Sequence, residues 1–163
     1  MTYVILRRQK LTYTKRLAAK ANALLDNETD FCANIANVAA LLFHALPNVN
    51  WVGFYFLRDG DLVLGPFQGK PACTRIAMGK GVCGTAAARR ETIVVPDVHK
   101  FPGHIACDEA SNAEIVIPVI YETRLVGVLD LDSPNPGRFD ELDRQGLEEI
   151  VAILVERSQF DDA

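Results

Sequence analysis

Three of the chain's four cysteines, Cys73, Cys83 and Cys107, fall in one stretch that runs on to Asp130 and Asp132. Each of the three sits beside turn or small residues, not inside an apolar run. A thiolate attacks faster than a thiol, and a thiol beside a sulfenic acid condenses to a disulfide. Two carboxylates on one face of a strand end repel each other and need either solvent or a cation, such as a bound ammonium group. Three thiols and a carboxylate pair therefore suggest thiol redox chemistry on a small polar molecule.

The local setting of each cysteine differs. Cys83 follows Gly79-Lys80-Gly81 and would lie in the first turn of a short alanine-rich helix. There the helix partial positive charge lowers a thiol pKa and favours thiolate. Cys107 lies in a stretch from His99 to Asn112 with little apolar period and with breakers at Pro102 and Gly103. That reads as a long surface loop, and long loops in compact domains are usually functional. His104, three residues earlier, could favour the Cys107 thiolate. Cys32 sits in a strongly apolar helical segment and reads as inert core. Cys73, Cys83, His104 and Cys107 are zinc-ligand types, but they lack short paired spacing, so no metal is expected. The Gly79-Lys80-Gly81 run lacks the third glycine and the βαβ setting of a dinucleotide site.

The elements that must position these residues can be read from period and punctuation. Residues 1–10 form a lead-in without clear period. Leu17, Ala21, Leu24 and Leu25 mark one helix, and Phe31, Ile35, Val38, Leu41, Leu42 and Leu46 mark a second, capped by Thr29 or Asp30. Asn50 to Leu57 is aromatic and β-branched and reads as a strand, joined to Leu62-Val63-Leu64 by the turn dipeptide Asp59-Gly60. On that strand Trp51, Gly53 and Tyr55 share a face, while Val52, Phe54 and Phe56 share the other. The Trp51 face either lines a ligand space or packs under the flanking helices. Gly65 to Pro71 reads as loop. Thr74 to Met78 and Thr92 to Val95 read as short strands. Ile115–Tyr121 and Arg124–Asp132 read as a second hairpin, with Val126, Val128, Asp130 and Asp132 on one face. Asp140 can cap a last helix with Leu142, Leu147, Ile150, Val151, Leu154 and Val155 as its buried stripe. Phe160 onward reads as a frayed tail.

This order predicts an α+β fold, an antiparallel sheet with helices on one face. The 163 residues are enough for a single domain with a real core. Within 1–163 the helices occupy 1–47, the sheet and site loops 48–138, and the last helix 139–158. The formal charge of −4 and pI near 5.4 argue against nucleic acid as a partner. No secretory signal or membrane-length apolar run is read, so a cytoplasmic protein with reduced thiols is expected.

Several motifs resemble one family. They are Trp51-Val-Gly-Phe-Tyr55, Leu64-Gly-Pro-Phe-Gln-Gly-Lys-Pro-Ala-Cys73, Gly79-Lys-Gly-Val-Cys-Gly84, Phe101-Pro-Gly-His-Ile-Ala-Cys-Asp108, Glu114-Ile-Val and Asp130-Leu-Asp-Ser133. Over roughly residues 48–140 the chain resembles the free methionine-(R)-sulfoxide reductases, single GAF-domain enzymes. The resemblance implies reduction of free L-methionine-(R)-sulfoxide, with Cys107 as nucleophile and Cys73 as resolving thiol. Cys83 becomes a second resolving thiol or an alternative nucleophile. Glu114, Asp130 and Asp132 would bind the amino group and the sulfoxide, with Glu114 or Asp132 as catalytic acid. Trp51 and Tyr55 would enclose the terminal methyl. It further implies a homodimer without bound cofactor, re-reduced by thioredoxin with thioredoxin reductase and NADPH.

Overall fold

The computed structural model describes residues 2–105 and 108–160. These residues form α1 (Thr2–Leu24), α2 (Phe31–Ala45), β1 (Trp51–Arg58), β2 (Asp61–Gln68), β3 (Arg75–Ala77), α3 (Gly81–Arg89), β4 (Ile93–Val95), β5 (Ala113–Tyr121), β6 (Arg124–Ser133) and α4 (Glu141–Arg157). The strands make one antiparallel sheet in the order β3-β2-β1-β6-β5-β4. The fold class is α+β, as expected.

The two faces of the sheet carry separate cores. Val52 and Phe54 of β1 face α1, α2 and α4, where Ile35, Val38, Leu42, Leu147, Ile150 and Leu154 bury their side chains. Trp51 and Tyr55 face the other way and join Val82, Cys83, Ala86 and Ala87 of α3. The alternation along β1 thus assigns its residues to opposite sides of the sheet. The terminal helices share one face, and α3 covers the other together with Val98, Phe101 and Ala72.

Local chemistry sets the element ends. Asp30 caps α2 by accepting from the Ala33 N–H, and Asp140 caps α4 in a reciprocal box with Asp143. Asp59 and Gly60 have φ of 52° and 87° and link Arg58 to its partner Asp61. That is a two-residue turn whose twist matches the strands. Lys10 on α1 contacts Asp143 at 2.6 Å, and Arg157 on α4 donates to Asn22 at 2.8 Å. The helices α1 and α4 therefore run side by side in the same direction.

Several expectations are corrected. The lead-in is part of α1 rather than irregular chain. Leu24 is exposed, while Leu17, Ala18, Ala21 and Leu25 turn toward the core. Cys32 is exposed and not core, because it lies in the first turn of α2, ahead of the buried residues that begin at Asn34. β2 runs on through Gly65-Pro66, where the register against β1 shifts between Gly53 and Tyr55 and absorbs the proline in a bulge. A register shift between Val119 and Ile120 likewise places Val126 in the helix-side core and not beside Val128. Phe160 is buried, its ring 4.7 Å from Tyr121 and 4.5 Å from Phe31. The rest of the proposed tail lies outside the described residues.

Candidate active site

Glu114 on β5 pairs with Asp132 on β6, and Val116 pairs with Asp130. Strand alternation then turns all three carboxyls to the side covered by α3. Glu114 and Asp130 are each only 6% exposed. Two carboxylates so buried would face a large desolvation cost if both ionised. Burial, then Asp130 and Asp132, push Glu114 well above the usual carboxylate range. Burial raises Asp130 to about 7. Burial and the neighbouring Asp130 likewise hold Asp132 well above its ordinary value. Three carboxyls in one dry place cannot all carry charge, so they share protons near neutral pH.

Cys83 sits directly over them. Its Sγ lies 3.8 Å from Glu114 Oε1, and it is a free, buried thiol. The helix N-terminus was expected to favour thiolate there. The structure reverses that expectation: burial first, then Asp130 and Glu114, push the Cys83 thiol up. A partial positive helix end cannot outweigh full burial beside carboxyls. Tyr55 stands on the same face, and burial followed by Asp130 raises its phenol as well.

These groups line a small cavity of about 30 Å³, with Ile76, Val82, His104, Ile105, Asp108 and Ser111 in its wall. That volume holds about two water molecules. Ile76, Ile105 and Val82 supply an apolar side, and Glu114, Asp130 and Asp132 an acidic one. His104 Nε2 lies 3.7 Å from Glu114 Oε2. Burial, then His99, hold His104 below its ordinary value.

The loop carrying Cys107 closes one side of the cavity. Cys107 itself lies outside the described residues. Its neighbour Asp108 accepts from the Ala110 N–H at 3.0 Å, from Lys70 at 3.4 Å and from Asn50 at 3.4 Å. Asn50 also donates to Ser111 Oγ at 3.2 Å. This network ties residues 108–111 to the start of β1. Sequence reasoning missed Ile76, Ile105 and Ser111 as wall residues. The breakers at Pro102 and Gly103 and the Phe101–Asp108 motif mark the loop itself.

Cys73 is half-buried ahead of β3 and is disulfide-bonded. Trp51 is buried but is not among the cavity-lining residues. It stacks on Phe67 with centroids 5.4 Å apart and on Tyr55 at 5.9 Å, and its Nε1–H donates to the Lys70 carbonyl at 3.0 Å. It therefore backs Tyr55. Among the described residues no helix is long and apolar enough to cross a membrane.

The chain matches the GAF-domain family over residues 30–155. It is 56% identical over 133 residues to the free methionine-R-sulfoxide reductase of Escherichia coli K12, covering 82% of this chain and 81% of that one. The chain belongs to the free methionine-R-sulfoxide reductase family. The Saccharomyces cerevisiae relative of the same name is 41% identical over 148 residues, covering 86% of this chain and 82% of that one. The Neisseria meningitidis free methionine-R-sulfoxide reductase, solved in complex with its substrate, superposes with a TM-score of 0.88 at 45% identity, covering 91% and 89% of the two chains. Membership of this reductase family makes the chain an oxidoreductase on the GAF fold, and its acidic cavity lies on the sheet face covered by α3.

Proposed function

We propose that this chain reduces free L-methionine-(R)-sulfoxide to L-methionine. The observation that carries the reading is the crowding of Glu114, Asp130 and Asp132 around one small cavity. A free amino acid brings an ammonium group, which ionised carboxylates can balance. A sulfoxide brings a poor leaving oxygen, which a carboxylic acid must protonate. Three carboxyls that cannot all ionise supply both at once: charge for the ammonium and a retained proton for the oxygen. Peptide-bound methionine lacks that ammonium. Tyr55, backed by Trp51, and the apolar wall offer contact for the terminal methyl.

The chemistry proceeds in three balanced steps. The Cys107 sulfur attacks the sulfoxide sulfur, oxygen passes to the cysteine with a proton from Glu114 or Asp132, and methionine leaves. Cys107 is then a sulfenic acid. The Cys73 thiol attacks it, water departs, and a Cys73–Cys107 disulfide forms. The disulfide-bonded state of Cys73 is in keeping with this pairing. Thioredoxin, itself kept reduced by thioredoxin reductase and NADPH, returns both thiols by dithiol exchange. Cys83, buried and held protonated by burial beside Asp130 and Glu114, suits the role of a second resolving thiol better than that of nucleophile. The reading includes one domain across 1–163, a homodimer, a cytoplasmic setting and no bound cofactor.

Turnover on separate sulfoxide epimers, with dithiothreitol or thioredoxin as reductant, tests this. Methionine is expected from the free R epimer alone. Equal rates on R and S, or preference for a peptide substrate, would overturn the reading. In single-turnover mass spectrometry, Cys107→Ser is expected to release no methionine.

A further inference from the structure

We propose that the floor of the cavity binds one thiophilic divalent cation of the zinc type, held by Cys83, Glu114 and Asp130 with solvent in the fourth position. The Cys83 sulfur and one oxygen from each of Glu114 and Asp130 lie within 4.8 Å of one another. A tetrahedral metal with bonds of about 2.0–2.3 Å has ligand-to-ligand edges of roughly 3.3–3.8 Å. The Cys83 Sγ to Glu114 Oε1 distance is 3.8 Å. One edge is already at metal spacing, and the Asp130 oxygen lies within 4.8 Å of both other ligand atoms.

A second observation points the same way. Asp130 is 6% exposed, lines the cavity, and its Oδ1 has no hydrogen-bond partner. A buried acceptor without a donor is costly, and a cation removes that cost. The donor set selects the metal. One sulfur and two carboxylate oxygens suit zinc, whereas calcium and magnesium prefer oxygen alone. Binding releases the Cys83 proton to buffer and leaves a zinc–thiolate bond. The site is distinct from one built on Cys73 and Cys107, and it uses no external oxidant or reductant. Where the substrate reading above holds, cation and amino acid compete for Glu114 and Asp130.

The test is titration of the disulfide-containing protein with Co2+ in a Cys32→Ser background, which removes the exposed free thiol. The expected result is one ion per chain, intense visible bands of a tetrahedral ion and a near-ultraviolet thiolate-to-cobalt band. Zn2+ is expected to bleach the spectrum. Cys83→Ser should abolish the charge-transfer band, and Asp130→Asn should weaken binding on the order of tenfold or more. A pale octahedral spectrum without the charge-transfer band, or a band that survives Cys83→Ser, overturns the proposal. These spectra need no turnover, so loss of the metal site and loss of reductase activity are separate results.

Discussion

Glu114 on β5 stands directly opposite Asp132 on β6, with Asp130 two residues further along the same face. Cross-strand neighbours lie about 4.5–5.5 Å apart at Cβ, so like charges there are destabilising unless a proton or a cation intervenes. Proton sharing is thus a consequence of register. Replacing Glu114 by Gln keeps the shape and removes one titrating carboxyl. The expected outcome is a fall in kcat/KM of about 10²–10⁴, read in steady-state assays, with the pH profile altered. An unchanged profile would remove Glu114 from the proton-donating set.

The same burial predicts how stability depends on pH. Asp130 rises from 3.8 to about 7 in the folded protein. A carboxyl with a raised folded value holds a proton that the unfolded chain gives up. Its contribution is therefore fully present below about pH 4 and is lost as pH rises to about 7. Asp130→Asn should raise stability at pH 8 by about 2–4 kcal/mol and leave it nearly unchanged at pH 4. Urea midpoints at the two pH values check the sign.

Thiol accessibility separates two of the cysteines. Cys32 is exposed and Cys83 buried, both free, and burial beside carboxyls holds the Cys83 thiol high. Brief iodoacetamide treatment of native protein at pH 8 is expected to label Cys32 and spare Cys83 until urea is added. Mass spectrometry of the peptides decides, and equal labelling would mean the cavity opens freely.

The seam between the first and last helices rests on Asp143. It is 4% exposed and meets Lys10 at 2.6 Å and Arg138 at 3.1 Å while closing the α4 capping box. Asp143→Ala leaves two cations facing a partly buried gap. A loss of about 3–5 kcal/mol is expected, measured by urea denaturation.

Backbone crowding gives a second stability prediction. A Cβ on Gly127 would lie 2.0 Å from the Tyr55 carbonyl oxygen. Gly127→Ala should cost ~3 kcal/mol and loosen the β1–β6 pair that carries both Tyr55 and the aspartates. A stable variant with normal turnover would show that the strands can part there without consequence.

How far the sequence discloses the site varies by residue. Asp130 and Asp132 on one face, Tyr55 with Trp51 on one face, and the Asp30 and Asp140 caps are all local in origin. Period and capping chemistry are enough to read them. Val126 escapes that reading because a bulge breaks the period, and a bulge depends on the partner strand. The Cys83 thiol escapes it for a different reason. Its helix position is local, but the carboxyls that outweigh the helix charge come from residues some thirty to fifty positions later, across the sheet. Cys32 shows the same limit: an apolar period gives the face of a helix but not where the covering elements stop. Trp51 keeps the packing half of its two readings in direct geometry, standing behind Tyr55.

That placement gives the chain an optical reporter. Trp51 is its single tryptophan, shielded from water and hydrogen-bonded to Lys70, three residues before Cys73. Opening the Cys73 disulfide releases a covalent tie three residues from that hydrogen bond. Intrinsic fluorescence should therefore follow each reduction and reoxidation in real time, without any attached dye.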